Sequence, residues 1–461
     1  MPHKKQRITT EIKALWQLAW PILIGQLANV GMSVADVAMA GHASAQDLAG
    51  IALGSSIWMI VFVTLMGVMM AVNPVISHHV GAKEWDRIPS VVRQALWKGV
   101  GVGLIAMLAV NGSAYFFVGM GLEPVVEDVA TRFVRITSLG LPVFACYRVL
   151  YGYSTSLNQT KPIMLIAVLA LALNVLLNWI LVFGNLGFPA MGGVGCAWAT
   201  LICMVFNLVA LLWWMRRSAV YESTWPFDRF EAPHWVEIRH LLLLGLPIGV
   251  TYFAESSAFG LIALWVARFG TVQVAAHQIA LNFSSLTFML PLSLGLALLT
   301  RVGQALGAGD VVEARFRSHV GISLSAFLAL IAALLIALLN REIVGLYTND
   351  AVVIPVAAGL LLWAAWYQVS DAIQVSASCA TRGYKETRLP MVIHLVAFWL
   401  IGLPLGCVLG LGWIPQWLPP LQAEGFWIGL VVGLGIAGSG QWLLLHYIAQ
   451  KHLQKAVFLY R

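Results

Sequence analysis

The sequence predicts an all-helical integral membrane protein, with twelve transmembrane helices in two pseudo-symmetric six-helix bundles. Three observations carry this. Hydrophobic residues make up 60% of the 461 and charged residues 10%, for a mean hydropathy of +0.84. The apolar residues fall into twelve long stretches, and the basic residues gather at alternate connections between them. No soluble domain of this size has such a composition.

The stretches run over 14–38, 52–78, 95–119, 129–155, 162–187, 193–215, 240–266, 272–300, 318–340, 352–379, 389–412 and 425–449. A helix needs roughly 20 residues to cross a hydrocarbon core about 30 Å thick, and every stretch is long enough. Strands of a membrane barrel would alternate polar and apolar residues instead. The first stretch has a basic flank like a signal peptide's, but it is too long and lacks a small-residue cleavage site, so it is read as helix 1. The 42 glycines and 18 prolines are compatible with spanning helices, where packing and neighbouring groups satisfy the backbone. The cysteines Cys146, Cys196, Cys203, Cys379 and Cys407 all lie in apolar stretches without metal or redox spacing, so packing is their expected role.

The net charge of +7 reflects topology rather than a nucleic-acid partner. With the N-terminus inside, 22 of the 27 basic residues fall on the cytoplasmic side, from Lys4, Lys5, Arg7 and Lys13 to Lys451, Lys455 and Arg461. Only Arg132, Arg135, Arg268 and Arg341 fall opposite, and Arg148 lies within a stretch. This positive-inside bias places both termini in the cytoplasm and gives twelve spans.

The chain also repeats weakly at an offset of 226 residues: Leu15, Leu18 and Pro21 match Leu241, Leu244 and Pro247, and Gly81-Ala82 matches Gly307-Ala308. An even number of spans per half gives both halves one orientation, as in a parallel repeat. The expected organisation is a bundle over 1–215, a charged cytoplasmic linker over 216–239 and a second bundle over 240–461.

Three carboxylates, Asp36, Glu255 and Asp371, lie well inside the stretches. Charge at that depth is costly and marks ion or substrate sites. Together with the repeated halves, the acids suggest alternating access around a central cavity.

The order of motifs then becomes specific. It comprises Val34-Ala35-Asp36-Val37-Ala38-Met39-Ala40-Gly41, Leu173-Asn174-Val175-Leu176-Leu177-Asn178-Trp179, Ala275-Ala276-His277-Gln278-Ile279-Ala280-Leu281-Asn282-Phe283, Tyr367-Gln368-Val369-Ser370-Asp371 and Arg382-Gly383-Tyr384-Lys385. Over nearly its whole length the chain resembles the multidrug and toxic compound extrusion (MATE) transporters, in their bacterial NorM-like subfamily. The resemblance implies a multidrug efflux antiporter of the bacterial inner membrane. Such a protein exports cationic amphipathic compounds in exchange for sodium ions or protons, as a monomer in lipid and without a cofactor.

The resemblance carries a cation or proton site to Asp36, Asn174, Asn178 and Thr200, and a cation or substrate site to Glu255, Tyr367 and Asp371. Asn174 and Asn178, four residues apart, share a helix face, as do Tyr367 and Asp371. Amide and carboxylate oxygens suit sodium and serve equally in a hydrogen-bond network around a proton; the oxygen supply tips the expectation towards sodium. An aromatic face also attracts cations. Gln278, Asn282, Phe283, Phe288 and Gln374 are expected to line the cavity. His277 has no partner at ligand spacing and is read as a packing residue, and no transition-metal site is expected.

Two rival readings are a lipid-linked oligosaccharide flippase and an integral-membrane enzyme acting on a lipid. The first handles an anionic ligand and would favour basic cavity residues, which are scarce. For the second, the three acids are scattered over helices 1, 7 and 10, with no pair on one helix. No Rossmann or phosphate-binding loop is present.

Overall fold

The computed structural model describes residues 2–119, 121–413 and 420–459, and among these the regular structure is helical, with no strand. The α-helices are α1 (Pro2–Ala43), α2 (Ala45–Met69), α3 (Val72–Gly81), α4 (Ile88–Ser113), α5 (Tyr115–Val118), α6 (Pro124–Leu139), α7 (Leu141–Ser156), α8 (Lys161–Leu181) and α9 (Gly193–Arg217). They continue as α10 (Trp235–Val266), α11 (Thr271–Gly307), α12 (Val311–Leu338), α13 (Asn340–Gly345), α14 (Val353–Gly383), α15 (Arg388–Leu395), α16 (Leu403–Leu411) and α17 (Ala423–Leu459). A π-helical segment, Val396–Gly402, joins α15 to α16.

Among the described residues eleven spans are long and apolar enough to cross a membrane, and α6 with α7, bent by 44°, makes a twelfth. The break lies at Gly140, just before Pro142 in the first turn of α7. Proline lacks an N–H to continue the preceding helix, so a new one starts there.

Local sequence explains several other ends. The Ser44 hydroxyl accepts the Asp47 amide at 2.9 Å and caps α2. Asp47 Oδ1 accepts the Gly193 amide at 2.7 Å, so one carboxylate ties the starts of α2 and α9 together. Gly192 has φ 55, and a Cβ there would lie 2.6 Å from Asp47 Oδ1, so this junction requires glycine. Asp310 caps α12 by accepting the Glu313 amide at 2.8 Å.

By packing, the chain forms two units: the first is Trp20–Gly249, and the second is Val250–Arg461 together with Met1–Ala19. The crossings fall inside α1 and α10, beside Pro21 and Pro247, where proline removes a helix hydrogen bond. This packing division differs from one drawn at 216–239 because the linker follows chain order, whereas the ends of α1 and α10 follow their contacts.

In the first unit, Ile51, Val92, Leu141, Leu150 and Leu211 belong to one buried core. The segment after α9 docks on it. Buried Arg93 donates to Glu231 at 2.7 Å and to Asp228 at 2.8 Å, and Tyr153 donates to the Thr224 carbonyl at 2.7 Å. Burial pushes the Tyr221 hydroxyl, in the 3-10 turn of this segment, up to about 12. Lys98, counted by sequence with the inside flank, is buried in α4 and donates to the Val68 carbonyl at 3.1 Å.

In the second unit, Leu15, Leu18 and Ala19 of α1 share a core with Leu294, Leu298 and Ile448. Arg301 grips buried Glu11 at 2.6 Å, and Arg317 and Arg7 both reach Glu313. The π segment and α16 meet α17 along a glycine seam: a Cβ at Gly429 would lie 2.5 Å from the Gly402 carbonyl. Small residues at such spacing let membrane helices approach closely.

Candidate functional site

Each unit contains a polar cluster built around acids that the sequence singles out. In the first unit, Asp36 of α1 faces Asn174 and Asn178 of α8 and Thr200 of α9. Both asparagines donate to Asp36 Oδ1, at 3.0 and 2.6 Å, and Thr200 donates to Oδ2 at 3.0 Å. Asn178 also donates to Asn174 Oδ1 at 3.3 Å. Asn174 and Asn178 are fully buried, and Asn178 Oδ1 has no hydrogen-bond partner. The sequence missed one member: the Cys196 thiol, one helical turn before Thr200, contacts the Asp36 carbonyl at 3.5 Å.

In the second unit, Tyr367 and Asp371 stand one turn apart on α14 and interact electrostatically, and Glu255 of α10 acts on the same carboxylate. Asp371 is 1% exposed and its Oδ2 has no donor. A buried acceptor left in that state requires a proton, a cation or a water. The Tyr367 ring packs edge-on against Trp427 at 6.1 Å, and Trp427 donates to His277 Nδ1 at 3.1 Å. His277 is thus held inside the helix packing.

The weaker candidates divide. Gln278 and Asn282 are exposed on α11, Phe288 is half-buried, and Phe283 packs on the core of the second unit. Gln374 is buried, and its carboxamide contacts His394. His394 and Gln441, which complete that cluster, are absent from the sequence-based site. Among the described residues no group of three or more His, Cys, Asp or Glu is placed to hold a metal ion.

Comparison with known proteins agrees with this architecture. The MatE family model matches residues 21–180 and again 247–408. The two matches start 226 residues apart (247 minus 21), which is the offset of the repeat read from the sequence. The chain is 42% identical over 450 residues to the probable multidrug resistance protein NorM of Chromobacterium violaceum, covering 97% of this chain and 95% of that one. It is 41% identical to the multidrug resistance protein PmpM of Pseudomonas aeruginosa, covering 93% and 90%.

Among solved structures, the eukaryotic MATE transporter AtDTX14 superposes with a TM-score of 0.86 at 19% identity, covering 97% of this chain and 99% of the other. An outward-facing multidrug resistance MATE family transporter superposes at 0.84, at 20% identity, covering 96% and 97%. These likenesses show the two-lobed twelve-helix fold. The chain is a multi-pass membrane protein that belongs to the MatE family of transporters, and it is not an enzyme.

Proposed function

We propose that the protein exports cationic, amphipathic compounds across the bacterial inner membrane in exchange for inward-moving sodium ions or protons. It acts as a monomer with both termini cytoplasmic and with the linker at 216–239 on the same side. The main support is a pair of buried oxygens without partners, Asp371 Oδ2 and Asn178 Oδ1, one in each acid cluster. A site that alternates between two cations must leave acceptors unsatisfied between them.

The chemistry follows from charge. A carboxylate with little water around it holds an organic cation strongly, and neutralising it with a proton or sodium ion weakens that hold. The linkage is reciprocal, so drug binding weakens ion binding by the same factor. In the first cluster, a turn of the Asn174 and Asn178 carboxamides would bring two more oxygens beside Asp36, a donor set suited to sodium. Left as they are, the three donors support a network around a proton. The oxygen-rich set favours sodium as the coupling ion.

The relatives named NorM and PmpM are described as multidrug resistance proteins, which supports drug-like cargo. A flippase for anionic lipid-linked sugars shares the general architecture but would need basic side chains where this chain has Asp36, Glu255 and Asp371. In everted membrane vesicles, adding a cationic dye should discharge an imposed sodium or proton gradient. Vesicles that accumulate no cationic dye under either gradient would remove the reading's support.

A further inference from the structure

Arg382 lies in the last turn of α14, in the same unit as Glu255 and Asp371, and is 5% exposed. A guanidinium keeps its charge at every accessible pH, so burying one is costly unless a carboxylate meets it. Arg301 and Arg317 of the same unit are met in this way, by Glu11 and Glu313. Arg382 differs from them. Its Nη1 is buried with no hydrogen-bond partner, and its guanidinium carbon lies over the Tyr252 ring, 5.6 Å from the centroid. The ring face offsets part of the cost of burial without neutralising the charge.

The surroundings direct that charge at the acids. Tyr252 stands three residues before Glu255 on α10, so ring and carboxylate share a helix face, and Arg382 acts on Glu255 electrostatically. Glu255 in turn acts on Asp371. The backbone that carries Arg382 is also closely packed: a Cβ at Gly383 would lie 2.9 Å from Val302 Cγ1 of α11. Arg382 is thus a standing positive charge on a fixed helix end, within electrostatic reach of Glu255.

We propose that Arg382 sets the charge of the cargo this site accepts: it offsets one of the two acids, so that the site matches a singly charged cation and can release it. With Glu255 and Asp371 ionised, two negative charges and one positive sum to −1. One drug cation or one sodium ion neutralises that sum. A second positive charge on the cargo stands unmatched where little water screens it. Without Arg382 the sum is −2, which holds a single cation more tightly and suits a double one. The weaker hold serves turnover, because a transported ion must be bound well enough to enter and loosely enough to leave. The charge match rests on the antiporter reading and adds the cargo's charge to it.

The test compares ethidium, with one positive charge, and propidium, which adds a second on a side arm of the same ring system. Binding is read by fluorescence anisotropy with full-length protein in lipid nanodiscs at about pH 9, where protons compete least for the acids. The parent should bind ethidium more tightly than propidium. In Arg382→Gln both Kd values should fall, ethidium by about fivefold and propidium by more, so that the ratio narrows by about fivefold or reverses. Arg382→Met, in which an apolar chain fills the same space, should do the same and serves if Arg382→Gln does not fold. Arg382→Lys keeps the charge and should keep the parent's ratio. Damaged packing would instead weaken both dyes.

In proteoliposomes Arg382→Gln should lower both the KM and the maximal rate of ethidium efflux, as expected when the cation is held too well. An unchanged ratio, or weaker binding of both dyes in the charge-free variants, overturns the proposal. A ratio that shifts equally in Arg382→Lys overturns it too. If the parent neither binds nor moves either dye under any gradient, the antiporter reading itself fails. If the parent binds and exports ethidium and the ratio does not move, only the role of Arg382 falls.

Discussion

Asn178 places its carboxamide nitrogen 2.6 Å from Asp36 Oδ1, across 142 residues of sequence, and shares that oxygen with Asn174 at 3.0 Å. The carboxylate is organised by three neutral donors, with no basic side chain among them. In the proposed exchange this carboxylate is the group that a mobile cation or a proton neutralises. Asp36→Asn keeps the shape and removes the charge, so drug export should drop about tenfold or more, the range of a typical coupling energy. Membrane abundance, read by immunoblot, should change little.

The same reasoning applies to the second unit. Asp371→Asn and Glu255→Gln should each reduce export at unchanged abundance, with Glu255→Gln losing doubly charged drugs before singly charged ones. Tyr367→Phe keeps the ring against Trp427 and removes only the hydroxyl that acts electrostatically on Asp371. Its effect on transport, measured with the same dyes, should be the smaller one.

Glu11 is 4% exposed and gripped by Arg301 at 2.6 Å, tying the first turns of α1 to α11. Glu11→Ala leaves the partly buried Arg301 guanidinium without its carboxylate, which should cost about 2 kcal/mol of stability. Thermal unfolding in detergent should show the loss, and the double variant Glu11→Ala, Arg301→Met should recover part of it.

Much of this was legible in the sequence, and the parts that were not have physical reasons. Asn174 and Asn178 are one turn apart in an apolar run, so their shared face is readable without coordinates. Asp36 and Thr200 are added to that face by the family resemblance. Glu11 and Arg301 are 290 residues apart and carry no local pattern that pairs them. His394 looks like any lone histidine in an apolar stretch, and nothing in the sequence places α15 beside Gln374. Hydropathy sees composition rather than backbone direction. The 129–155 stretch therefore reads as one span although Gly140 and Pro142 break it, and the π segment at 396–402 is invisible.

The docked linker should respond to acid. The Ser90 hydroxyl, bonded at 2.6 Å, leads in holding the Glu231 carboxyl below its usual range; Arg93 and Gln94 add to this, against a burial effect that raises it. A carboxyl depressed in the folded state contributes stability above its unfolded value of about 4.3, and that contribution is lost as pH falls through the folded value. Limited proteolysis at 216–239 should accelerate only below that window, and Glu231→Gln should abolish the pH dependence.

The most direct measurement uses purified protein in liposomes loaded with a cationic dye, driven first by a sodium gradient at fixed pH and then by a pH gradient without sodium. Dye should move against its own gradient with the parent protein, more strongly with sodium, and not with Asp36→Asn or Asp371→Asn. Full activity without sodium would assign coupling to protons and defeat the sodium preference. Equal dye movement by the parent and both variants would contradict the claim that these acids couple drug to ion.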